Sequence, residues 1–142
     1  LKNDPLPDLD RFRLRRFVDE MIDEGEVEVV EEPIDLADVA ARMEGNKQAV
    51  LFRRAGPECA EVIGSMTGGR RRIARAFGVA PEDLLWEVNR RLEAPQEIVE
   101  IDTGDAPVHE VILTDEDVDL TKLPVHLQHE FDGGPYISAS LD

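Results

Sequence analysis

The sequence predicts an α+β protein: a mixed α/β domain over residues 1–105, leading into the opening strands of a second, β-rich domain over 106–142. Three observations predict it. Up to Leu92, short apolar stretches of β character alternate with stretches of helical period. Pro95, Gly104 and Pro107 then interrupt the pattern between Ala94 and Pro107. Beyond them Val108, Glu110 and Ile112 alternate with His109, Val111 and Leu113, the period of a strand, and Ile137, Ala139 and Leu141 alternate along a second, Tyr136–Leu141.

Residues 1–8, with Pro5 and Pro7, form an extended lead-in. Leu14, Phe17, Val18, Met21 and Ile22 recur at helical spacing, with Asp10 as N-cap and Gly25 as the stop. The EVEVV run, residues 26–30, is a strand by period and β-branched content. Asp35 caps a second helix, Leu36–Glu44, with Leu36, Val39, Ala40 and Met43 on one face. Residues 49–52 and 61–64 are short strands. After Gly68-Gly69, Ile73, Ala74, Phe77 and Val79 mark a third helix. Pro81 suits the first turn of a fourth, Glu82–Leu92, with Leu84, Leu85, Val88 and Leu92 inward and Trp86 packed, ended by Pro95.

Composition narrows the function classes. A 142-residue chain with 42% hydrophobic residues can bury a core. No apolar run approaches the roughly 20 residues of a membrane helix, and the first residues carry no apolar signal region, so a cytoplasmic protein is expected. The lone Cys59 excludes an internal disulfide and a multi-cysteine zinc site. A net charge of −16 repels nucleic acid and anionic membranes. Only Lys2, Lys47 and Lys122 are lysines, an Asp/Glu-rich and Lys-poor usage that fits a salt-adapted or GC-rich source.

Several clusters invite a chemical reading. Gly68-Gly69 before Arg70, Arg71 and Arg72 could hold a phosphate at a helix start, but the spacing is not that of a P-loop and a solvated basic turn explains it better. His126 and His129, beside Glu130 and Asp132, are of metal-binding type, but in a loop after Pro124 they read better as a hydrogen-bonded turn. Glu31/Glu32 and Asp115/Asp117 read as exposed turns. No Ser-His-Asp, Cys-His or H-E-x-x-H arrangement can be assembled, so no complete active site is expected within these residues. The strand Tyr136–Leu141 needs a neighbour, because unpaired buried N–H and C=O groups are costly. Earlier strands, a second polypeptide or a continuation of this one would supply it.

The order APVHEV, then DVDL-x-KLP, then a loop with His and Asp, then GGPYISA, resembles the UbiD-type decarboxylases that use prenylated flavin mononucleotide. Upstream, R-x-FVDEMIDEGEV is similar to that family's opening helix and strand, and GGRRRIARAFGV to the helix after its glycine-rich turn. The resemblance runs from about Leu14 to Leu141. It implies an N-terminal α/β domain leading into a split β-barrel that holds the flavin, and reversible non-oxidative decarboxylation of an aromatic or α,β-unsaturated acid. It implies that Ser138 and Ala139, on the first barrel strand, lie beside the flavin, with Gly133-Gly134 turning the chain into the barrel. It also implies that the catalytic Arg-Glu-Glu set and the Mn2+ and K+ ligands lie on other residues, in a completing polypeptide or C-terminal remainder, and that the enzyme is a homo-oligomer. The alternative is a non-catalytic acidic module that docks on a partner through an exposed strand edge.

Overall fold

The computed structural model describes residues 13–95, 98, 100–129 and 131–137. The lead-in and Asp10 lie outside them, as do Glu130 and the positions from Ser138 onward.

The module is a small three-stranded sheet with helices on both faces. In chain order it comprises α1 (Leu14–Asp23), β1 (Val27–Val30), α2 (Val39–Met43), β2 (Ala49–Ala55), β3 (Ala60–Gly64), α3 (Arg70–Phe77) and α4 (Leu84–Glu93). The strand order is β1-β2-β3. β1 runs parallel to β2, pairing Val27 with Ala49 and Val30 with Phe52, and α2 lies in the crossover between them. β3 returns antiparallel, pairing Val50 with Gly64 and Ala55 with Ala60 across an irregularity.

The first four residues of β2, 49–52, read as a continuous apolar run because they are covered on both faces. Its Ala49 and Leu51 join Val18 and Met21 of α1 and Val27 of β1 in one buried cluster. Its Val50, Phe52 and Ala55 join Val39 of α2 on the opposite face. The period of two in β2 thus divides one strand between two cores. Met21, Val39, Val50 and Phe52 are fully buried.

α1 ends as its sequence predicts: Gly25 takes φ +72°, and the Glu26 N–H donates to Met21 O at 2.9 Å. The expected N-cap is corrected: the helix begins at Leu14, so its cap position falls to Arg13, which is extended and makes no side-chain cap bond, and not to Asp10. Arg75 of α3 fastens it from outside, reaching Glu20 at 3.2 Å and Glu24 at 2.8 Å. α2 is shorter than the predicted Leu36–Glu44. The Asp35 carboxylate accepts the Ala37 N–H at 2.9 Å, which closes a turn, and helical structure begins only at Val39. Arg42 in the last turn of α2 and Asn46 beyond it donate to Glu28 of β1, holding that carboxyl below its ordinary range.

Two expectations for α4 are corrected. Leu84 is buried, but Leu85 is 60% exposed, Leu92 74% and Trp86 72%, so the leucine stripe and Trp86 do not face inward. The neighbour decides this. Arg91 donates to Phe77 O at 3.0 Å and stacks its guanidinium 4.6 Å from the Phe77 ring, turning the Leu84/Arg91 face toward α3.

The predicted strand over Val108–Leu113 is also corrected. Residues Pro107–His109 form a 3₁₀ turn, and further such turns follow at Asp115–Asp117 and Leu120–Lys122. No strand occurs among the described residues after β3. Val108, Val111, Ile112 and Leu113 are all exposed. An alternating segment without a strand beside it leaves its ladder groups to water, so local turns prevail. Tyr136 and Ile137, the first two residues of the other expected strand, are likewise exposed and outside any strand, and its remainder lies outside the described residues. Among the described residues no helix is long and apolar enough to cross a membrane.

Candidate functional site

The arginine turn is built differently from the solvated one predicted. Arg72 is 2% exposed. Its guanidinium donates to four carbonyl oxygens, those of Ser65 at 3.1 Å, Met66 and Lys47 at 3.2 Å and Glu26 at 3.5 Å, and to the Glu26 carboxylate at 3.2 Å. One side chain therefore joins the turn before α3, the start of β1 and the loop before β2. Gly69 leaves the room for it, since a Cβ there would stand 2.7 Å from the Arg72 Cζ. Arg71 also reaches Glu26, at 3.2 Å, and Arg70 donates to Pro81 O at 2.8 Å. All three guanidinium groups are thus engaged by the protein, which leaves this turn an architectural joint.

In the last third, turns are closed by their own side chains. Asp119 accepts both the backbone N–H of Thr121 at 3.0 Å and its hydroxyl at 2.6 Å, and these bonds lower the Asp119 pKa. The His129 N–H donates to Asp132 at 2.8 Å, with the imidazole Nδ1 3.5 Å from the same carboxylate oxygen. Among the described residues no group of three His, Cys, Asp or Glu side chains is placed to hold a metal ion. His129, with Leu127 and Gln128, instead faces Ala37, Ala40 and Ala41 across a surface cavity of about 730 Å³. Glu31, Glu32, Asp115 and Asp117 are exposed.

The two residues expected beside a flavin, Ser138 and Ala139, lie outside the described residues. The described structure brings their segment only as far as Tyr136 and Ile137, 48% and 61% exposed.

Family profiles resolve what this arrangement belongs to. The 3-octaprenyl-4-hydroxybenzoate carboxy-lyase N-terminal domain of the UbiD family matches residues 18–92, just over half of the chain. The chain belongs to the UbiD family. The Rift-related domain of the same carboxy-lyase matches residues 99–141. Among curated relatives, the UbiD-family chain is 30% identical over 128 residues to an anhydromevalonate phosphate decarboxylase of Methanosarcina mazei, covering 89% of this chain and 29% of that protein. It is 32% identical over 111 residues to an uncharacterized protein in the cooM 5′ region of Rhodospirillum rubrum, covering 75% and 23%.

Solved structures agree. An evolved dimeric form of the UbiD-class enzyme HmfF from Pelotomaculum thermopropionicum, in complex with prFMN, superposes with a TM-score of 0.76 at 29% identity, over 87% of this chain and 30% of that one. The vanillic acid decarboxylase of Sedimentibacter hydroxybenzoicus, in open form, gives 0.71 at 27% identity, over 87% and 29%. The chain thus spans less than a third of the length of these relatives.

Proposed function

We propose that this chain is the amino-terminal part of a prenylated-FMN-dependent decarboxylase that acts reversibly and non-oxidatively on an aromatic or α,β-unsaturated carboxylic acid. One observation carries the reading. Profiles for the family's N-terminal domain and for its Rift-related domain match one after the other along the chain, on a fold that superposes with a TM-score of 0.76 on part of an enzyme in complex with prFMN.

In this reading residues 1–105 are the N-terminal α/β domain and residues 106–142 open a split β-barrel that the remainder of the enzyme completes. The exposure of Val108, Val111, Ile112, Leu113 and Ile137 supports it, since apolar side chains at this density call for a covering layer. Gly133-Gly134 turn the chain toward the barrel, and Ser138 and Ala139 form one wall of the flavin site.

Among the described residues no set of metal-ligating side chains converges. On the family resemblance, the acid-base residues and the Mn2+ and K+ ligands are assigned to the completing polypeptide or C-terminal remainder, and the enzyme to a homo-oligomer in the cytoplasm. What this chain contributes is position: a sheet stiffened through Arg72, from which the first barrel segment departs.

The test is CO2 release from an aromatic acid with prenylated FMN present. The 142-residue chain alone is expected to release none, because in this reading the acid-base residues lie in the remainder of the enzyme. Together with the polypeptide encoded directly after codon 142 it is expected to turn over. Release by the chain alone would refute the reading.

A further inference from the structure

We propose that the outward face of α4 is a seat on which the remainder of the decarboxylase docks; this rests on the function proposed above. Leu85, Trp86 and Leu92, at 60%, 72% and 74% exposure, project with Asn89 on one side of the helix. The helix is not free to turn them inward. Leu84 is buried on the opposite side, and Arg91 is held by Glu87, the Phe77 ring and the Phe77 carbonyl.

Size and position select the occupant. With a tryptophan and two leucines, the stripe offers on the order of 400 Å² of largely apolar surface, which is the scale of a functional patch on a monomer. It is only about half of the ~800 Å² per partner that a free-standing complex buries. A second copy of this chain held by the stripe alone would be weakly bound. An occupant also held elsewhere would not, because a tether raises its effective concentration. The Rift-related match supplies that tether: it begins at residue 99, directly beyond the end of α4 at Glu93. Glu82, Asp83 and Glu93 are exposed at the two ends of α4 and Arg90, paired with Glu87, is exposed one turn beyond Trp86, so the occupant meets an apolar patch with a rim of mixed charge.

Trp86 is the one tryptophan of the chain and reports on the site directly. The chain is labelled with 5-fluorotryptophan and mixed with the unlabelled polypeptide encoded directly after codon 142. The Trp86 ¹⁹F resonance is expected to lose its H2O/D2O solvent shift as the two co-elute. The double variant Trp86→Glu/Leu92→Glu is expected to weaken association at least tenfold while leaving the melting temperature of the isolated chain unchanged. Co-elution with Trp86 still solvent-exposed would overturn the seat and leave the proposed function standing. Absence of any association would overturn both. Loss of the solvent shift that depends only on the concentration of the chain itself would assign the stripe to a second copy and overturn the proposal.

Discussion

Arg72 is the most consequential single side chain in the described structure, and Arg72→Met measures how much. The substitution keeps an unbranched apolar stem and removes every donor. The carbonyls of Ser65, Met66 and Lys47 lose the bonds Arg72 makes to them, and Glu26, 18% exposed, loses one of its two arginines. Removing one partner of a buried ion pair typically costs about 3–5 kcal/mol. Arg71 still reaches Glu26, so the lower end applies, near 3 kcal/mol. At roughly 4–8 °C per kcal/mol for a domain of this size, melting should fall by about 12–24 °C. Arg71→Met is the control. That side chain is 75% exposed, and an exposed ion pair contributes about 0–1 kcal/mol. Gly69→Ala should fall between the two, because its Cβ would displace the guanidinium. Calorimetry on the three variants decides it. Equal, small shifts for Arg72→Met and Arg71→Met would refute the joint.

Two further predictions concern charge. Hydrogen bonds from Arg90 and Arg91 hold the Glu87 carboxyl at about 2, below its ordinary 4.5. A depressed folded-state pKa stabilises above the unfolded value, so the advantage of wild type over Glu87→Gln should be full above about pH 4.5 and fade as pH falls toward about 2. A difference in melting temperature that does not change across that window would contradict this. The net charge of −16 should make melting temperature rise between low and molar KCl, since salt screens repulsion over a Debye length of roughly 10 Å at 0.1 M. A flat or falling curve would show that the acidic surface does not oppose folding.

What the sequence discloses follows from how local each determinant is. α1 and β2 are legible because period and termination lie in adjacent residues: Leu14 to Ile22 carry the stripe, Gly25 the stop, and the run from Ala49 to Phe52 its burial on both faces. α4 is legible as a helix but not in its orientation, since Leu84 and Leu85 are equivalent in the pattern and only α3 selects between them. Arg72 is illegible as a buried residue because its partners come from three separate stretches of chain. The available signal was the glycine at position 69, which clears space for a large side chain. Strand pairing at Val108 cannot be read from alternation alone, because the neighbour is not local. The candidate site at Ser138 and Ala139 rests on the family resemblance, because no cluster of side chains in the sequence marks it.

The measurement that bears most directly on the account is flavin retention by the chain in complex with the polypeptide encoded directly after codon 142, for wild type and Ile137→Asp. Wild type is expected to co-elute with that polypeptide and keep prenylated-flavin absorbance. Ile137→Asp places a charge on a face that assembly should bury, at a cost on the order of several kcal/mol. It is expected to lose both co-elution and absorbance while the module from Leu14 to Glu93 stays folded by circular dichroism. A variant that still co-elutes and holds flavin normally would contradict the claim that this segment opens the barrel.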